Sequence, residues 1–117
     1  MVDSSTNALQ PGGMIDALAL SLDLAPADNV VAGTPHTGFH ELMDTDGRSV
    51  GIWELGVGTV TDTEIDEVFV VISGSATVEF DDSDETLSLR PGSVGRLGAG
   101  MRTRWTVTET LRKIYIT

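Results

Sequence analysis

From residue 46 to residue 100 the chain is cut by turn residues at short, even intervals, and this punctuation leaves room for strands and little else. Asp46-Gly47, Gly56 and Gly58, Ser73-Gly74, Asp81 to Asp84, Pro91-Gly92 and Gly98 to Gly100 are the breaks. They recur roughly every 8–12 residues, the rhythm of a β-sandwich or barrel. Asp46-Gly47 suits a tight hairpin turn, so strands are predicted on either side, over 39–44 and 49–55. Others are predicted over 68–72, 76–80, 86–90, 102–108 and 111–116, in an all-β fold of about ten strands.

Alternation assigns the faces. Successive side chains of a strand point to opposite sides of the sheet. Ala76, Val78 and Phe80 alternate with polar residues, as do Leu87 and Leu89, and as do Thr103, Trp105 and Val107. Each of these sets is expected to point inward. Residues 68–72 are apolar on both faces, which predicts cover on both sides, one side being a partner subunit in a homodimer. Over 17–24, leucines at 18, 20, 22 and 24 alternate strictly and predict a half-buried strand, although Ala and Leu also favour helix. Pro26 ends that segment in either case. Residues 25–38 read as irregular, with a short extended piece at Val30 and Val31.

The 117 residues suffice for one modest core. The expected division is a loose leader over 1–13 and a single domain over 14–117. The chain has no cysteine, which excludes disulfides, thiolate metal sites and cysteine nucleophiles. The first residues lack both a basic start and an apolar stretch, and no apolar run nears the roughly 20 residues of a membrane span, so a cytoplasmic protein without membrane contact is expected. A net charge of −11 argues against nucleic acid as partner. The charge is uneven: residues 1–89 hold seventeen acids and one base, residues 90–117 six bases and one acid. Either acids and bases pair across strands, or the late bases form a local patch for an anion.

Two spaced clusters carry a resemblance. Glu67 is followed by an apolar strand and Gly74. Further on come Gly92, Gly98-Ala99-Gly100 and Thr103. These stretches resemble the two signature motifs of the cupin superfamily. In cupins the first motif sets two histidines three or four residues before the glutamate, and the second ends in a histidine. Here those positions fall on Thr61 and Thr63, or with the longer spacing on Val60 and Asp62, and on Thr103. Gly51-Ile52-Trp53-Glu54, residues 66–74, 102–107 and 109–115 are similar to small members of the subfamily named after (S)-ureidoglycine aminohydrolase. The resemblance implies a single-domain jelly-roll barrel, often a homodimer, with any ligand in the barrel mouth.

The pocket candidates follow from the motifs and faces. They are Thr61, Thr63, Glu67 and Thr103 at the motif positions, Trp53, Phe69 and Trp105 as walls, and Lys113 and Tyr115 on the last strand. One carboxylate among hydroxyls holds a transition metal poorly, so no conventional metal cofactor is expected. Asp62 or Glu64 joins Glu67 as a ligand only if that stretch is a loop. A buried Glu67 needs a partner. Lys113, Arg104, or the hydroxyls of Thr63 and Thr103 are the candidates, the alternative being a rim position in water. Asp62, Glu64, Asp66 and Glu67 are otherwise expected to be mostly solvated, and His36 and His40 to be ordinary strand and loop residues. Two functions remain open. One is a cupin binding a small polar or anionic metabolite in its barrel. The other is an aminohydrolase-like enzyme acting on a small nitrogenous or carboxylated metabolite.

Overall fold

The computed structural model describes residues 9–117, so most of the expected leader, residues 1–8, lies outside the described residues. Nine strands are present among the described residues: β1 Ala25–Pro26, β2 Val30–Ala32, β3 His36–Thr45, β4 Arg48–Leu55, β5 Gly58–Thr63, β6 Glu67–Phe80, β7 Thr86–Leu89, β8 Val94–Leu97 and β9 Arg102–Ile116. No described helix is long and apolar enough to cross a membrane. All the strands belong to one antiparallel hydrogen-bonded sheet curled into a barrel.

Two long strands do the curling. β9 pairs with β6 along its length, with β5 over its first half and with β4 over its second. β6 likewise takes β8 beside its first half and β7 beside its second. The β6–β9 register slips around Ser73 and Ser75. Gly74 sits there at φ +87°, and a Cβ on it would collide with the Thr110 carbonyl. The predicted turn at Ser73-Gly74 is therefore a bulged corner within a single strand. Bulges bend a strand without ending its pairing. For the same reason 102–108 and 111–116 are one strand, not two. β8 was not anticipated, because Gly95 and Arg96 break its apolar run.

The hairpin prediction holds: β3 and β4 meet through Asp46 and Gly47, at φ 54° and 75°, the left-handed pair of a type I′ turn. The inward sets also hold. Val78, Leu89, Thr103, Trp105 and Val107 are buried, and Phe69, Val71 and Leu97 complete the core around them.

Residues 17–24 do not form a strand. The Asp16 carboxylate accepts hydrogen bonds from the Leu18 and Ala19 N–H groups, which curls the backbone into a turn. The carbonyls of Ala17 and Leu20 accept from the Arg112 guanidinium at 2.9 and 2.7 Å instead of from a neighbouring strand. Leu18 is left 62% exposed.

Candidate functional site

The site is built on the inward face of β4, β6 and β9, with the loop after β5 closing one side. Register sorts the residues of β5 by sheet face. Val60 pairs with Trp105 and Asp62 with Thr103, whereas Thr61 and Thr63 pair with the exposed Arg104 and Arg102. Directly opposed residues share a face. The longer motif spacing is thus the one the barrel uses. No continuous strand runs from Thr61 to Glu67, because β5 ends at Thr63 and the chain turns before β6 begins, yet Thr61 and Thr63 border the same cavity as Glu67.

On β9, Lys113 points inward between Trp53 of β4 and Val71 of β6, its cross-strand partners. It is 5% exposed. Its Nζ donates to Glu67 Oε2 at 2.6 Å. The same nitrogen stands over three rings, 4.6 Å from the centroid of Trp53 and 4.9 Å from those of Phe69 and Trp105. The rings brace one another, with centroids 5.7 Å apart for Trp53 and Trp105 and 6.0 Å for Phe69 and Trp105. A buried ammonium needs compensation for lost hydration, and a carboxylate with three aromatic faces supplies it. Glu67 is neither at the rim in water nor paired with Arg104, which is exposed on the outer face. Two glycines make room for the aromatics. A Cβ on Gly51 would run into the Tyr115 phenol, and one on Gly95 into the Phe69 ring.

Glu64 lies in the loop between β5 and β6, and the second motif places it. Its N–H donates to the Met101 carbonyl at 2.8 Å, and its carbonyl accepts from the Gly100 N–H at 2.9 Å. The Ala99 N–H donates to Asp66 Oδ1. So held, Glu64 is 8% exposed, and its Oε2 accepts from the Thr103 hydroxyl at 2.6 Å and the Trp105 indole N–H at 3.0 Å. The expected solvation of the acidic run therefore holds for Asp62 and Asp66, which are exposed, and fails for Glu64 and Glu67. Partial desolvation against the cavity wall, with Glu64 beside it, nevertheless pushes the Asp62 carboxyl above its ordinary range, an effect that Lys113 opposes. Burial likewise raises the Tyr115 phenol, with Glu41 nearby adding to the shift.

These groups border a cavity of about 530 Å³. Trp53, Glu67, Trp105, Lys113 and Tyr115 line it, as do Thr61 and Thr63. Phe69 and Thr103 do not border it; both are buried. Asp28, from the short connection between β1 and β2, also lines the cavity, and nothing in the sequence marks it.

The EutQ-like cupin domain matches residues 42–115, well over half of the chain. The chain belongs to the EutQ-like cupin family. Among solved structures, the EutQ protein of Clostridium difficile superposes with a TM-score of 0.70 at 19% identity, over 89% of this chain and 84% of that one. A cupin superfamily protein of Desulfitobacterium hafniense superposes with a TM-score of 0.65 at 16% identity, over 96% and 94% of the two chains. The ectoine synthase of P. lautus gives 0.61 at 19% identity, over 68% and 62%. At such identities the likeness shows the fold, a single-domain cupin jelly roll. Among curated proteins none matches the sequence.

Cupins of the histidine type hold a metal at the positions that Val60, Asp62, Glu67 and Thr103 occupy in this EutQ-like cupin. The donor set does not fit one. Val60 offers no ligand atom, the Thr103 hydroxyl is engaged with Glu64, and the Glu67 carboxylate is taken by Lys113. A divalent ion at Glu67 would also sit against an ammonium. Among the described residues, no group of three or more His, Cys, Asp or Glu side chains is arranged to hold a metal ion. His36 and His40 both lie in β3.

Proposed function

We propose that this EutQ-like cupin binds a small polar metabolite in its barrel, with the Lys113–Glu67 pair standing where a histidine-type cupin would hold its metal. The observation that carries this reading is the 2.6 Å contact of Nζ with the motif glutamate beside an open cavity. A cavity of a few hundred cubic ångströms, walled by aromatics and set with a few polar groups, is the usual form of a small-molecule site. The charge of the lining favours a neutral or cationic ligand over an anion, because Asp28, Asp62, Glu64 and Glu67 face Lys113 alone. We expect protein purified without chelator to carry less than about one transition-metal ion per chain, and a panel of small metabolites to contain at least one that raises its melting temperature. A full complement of Mn, Fe, Ni or Zn, retained through dialysis, would overturn the reading.

The protein is further proposed to be a homodimer. Val68, Val94 and Ile116 expose apolar side chains on the outer face of the β8–β6–β9 region, 38%, 69% and 40% accessible. A monomer in sedimentation velocity at micromolar concentration would remove this part.

The second reading is an aminohydrolase-like enzyme, of the kind named for (S)-ureidoglycine, acting on a small nitrogenous or carboxylated metabolite. Asp62 is what favours it: a carboxyl biased toward its protonated form beside a cavity is suited to general acid work. Turnover of a ureido or amino acid substrate that disappears in Asp62→Asn would support this reading, and turnover unaffected by that change would sink it.

A further inference from the structure

At the cavity wall an organic ammonium group, supplied by the chain itself, is held among aromatic rings and a carboxylate. A cation faced by three aromatic rings with a carboxylate at hydrogen-bond distance is the arrangement by which proteins recognise alkylammonium groups. Here the cation is Lys113, the rings are Trp53, Phe69 and Trp105, and the carboxylate is Glu67. Lysine is a flexible, strongly hydrated ion that ordinarily keeps its charged end in water.

The seat is not sealed. Trp53, Trp105, Glu67 and Lys113 itself line the open cavity. Four carboxylates on the lining face one ammonium, so the cavity is short of positive charge even with Lys113 in place. Asp62 agrees with this: desolvation first and Glu64 second raise its carboxyl above the ordinary range, and Lys113 is the cation that opposes them. The site therefore has electrostatic room for a second cation.

We propose that the ligand of this barrel is a small primary or quaternary ammonium compound, which takes the seat between Trp53, Phe69 and Trp105 while Lys113 turns its charge toward Asp62 and Glu64. This inference rests on the reading of the barrel as a small-molecule site, and it adds the chemical class. A tethered lysine competes with the ligand, so affinity in the native protein reflects the difference between two occupants of one seat. Quaternary ammonium ions, which give up less hydration on leaving water, should compete better than primary amines of equal size.

The chain contains two tryptophans, and both face the seat, so their fluorescence reads it directly. Tetramethylammonium and propylamine titrated at constant ionic strength should give a saturable change in the native protein, and sodium chloride none. Lys113→Ala, which vacates the seat and keeps the carboxylate, should tighten tetramethylammonium by about tenfold or more, and Glu67→Gln should weaken it by a similar factor. Absence of a saturable ammonium response in both the native protein and a cooperatively unfolding Lys113→Ala overturns the proposal. If Lys113→Ala does not fold, Trp53→Leu decides: loss of one ring must weaken tetramethylammonium by about threefold or more, and unchanged affinity overturns the assignment. Saturable binding of neutral metabolites without any ammonium response refutes the chemical class and leaves the barrel site standing. Failure of every member of a mixed panel refutes both.

Discussion

Arg112 and Lys113 are consecutive on one strand, carry the same charge, and each meets a glutamate at 2.7 or 2.6 Å, yet they serve opposite sides of the sheet. Arg112 points outward. Its Nε and one terminal nitrogen engage Glu54 Oε1, the carboxylate directly opposite on β4, and its other terminal nitrogen collects the carbonyls of Ala17, Leu18 and Leu20. The guanidinium fork is rigid and rich in donors, so one side chain can pin an irregular segment to a sheet. Lys113 points inward. It makes one hydrogen bond to Glu67, and aromatic faces meet the rest of its charge. The outer pair saturates its donors with backbone and holds the fold. The inner pair leaves its surroundings open to a cavity and holds a site.

Removal of Arg112 is the strongest way to break this contrast. Arg112→Ala strands Glu54, which has 14% of its side chain exposed, and frees the 17–20 segment. A loss of about 3–5 kcal/mol in urea unfolding is expected, with amide exchange accelerated first over 17–20. A loss under about 1 kcal/mol would make the outer pair an ordinary surface contact. Lys113→Met should cost less, about 1–3 kcal/mol, because Glu67 borders the cavity and can recruit water once its partner is gone. A penalty larger than that of Arg112→Ala would invert the assignment of structural and site roles.

The smallest effect belongs to Asp62. Its carboxyl is held above its ordinary value in the fold, so the folded chain retains that proton more readily than the unfolded chain. Such a contribution is complete below the unfolded pKa and is lost as pH rises through the folded one. Asp62→Asn should therefore flatten the fall in stability across that interval and leave the neutral-pH value equal or slightly higher, within about 0.5 kcal/mol given the residue's exposure. Melting curves between about pH 4 and pH 7 check this, and a steeper fall in the variant would contradict it.

What could be read in advance was set by local chemistry. Asp46-Gly47 has one good conformation between two strands, and the β3–β4 hairpin follows. The alternation of Thr103, Trp105 and Val107 has one inward phase, and all three are buried. Among the described residues the ion pairs Asp81–Arg102, Glu54–Arg112 and Glu67–Lys113 each join an acid of residues 1–89 to a base of residues 90–117, as the uneven charge suggested. The chain's sole lysine could be named as one candidate partner of Glu67, but the choice over Arg104, the threonine hydroxyls or a rim position came from the fold.

What could not be read depended on long-range register. Over 60–63 a hydroxyl-bearing phase and a Val60–Asp62 phase were both open, and only pairing with β9 selects the second. Apolar Val60, flanked by Thr59 and Thr61, was the one local hint of that phase. Glu64 was legible as acidic but not as buried, because its donors arrive from Thr103 and Trp105, some forty residues away. The leucine alternation over 17–24 was overridden by the Asp16 side chain and by Arg112, neither of which belongs to the pattern.

Gly51 and Gly95 have a consequence for how such a barrel can diverge. Each leaves a hydrogen where any other residue would place a carbon, directly beneath Tyr115 and Phe69. The seating of the Tyr115 ring on the cavity wall, and of the buried Phe69 ring behind it, thus depends on two absent methyl groups. A single alanine at position 51 would force the Tyr115 ring to shift, so the chain can reshape its chamber through a residue that does not itself line it.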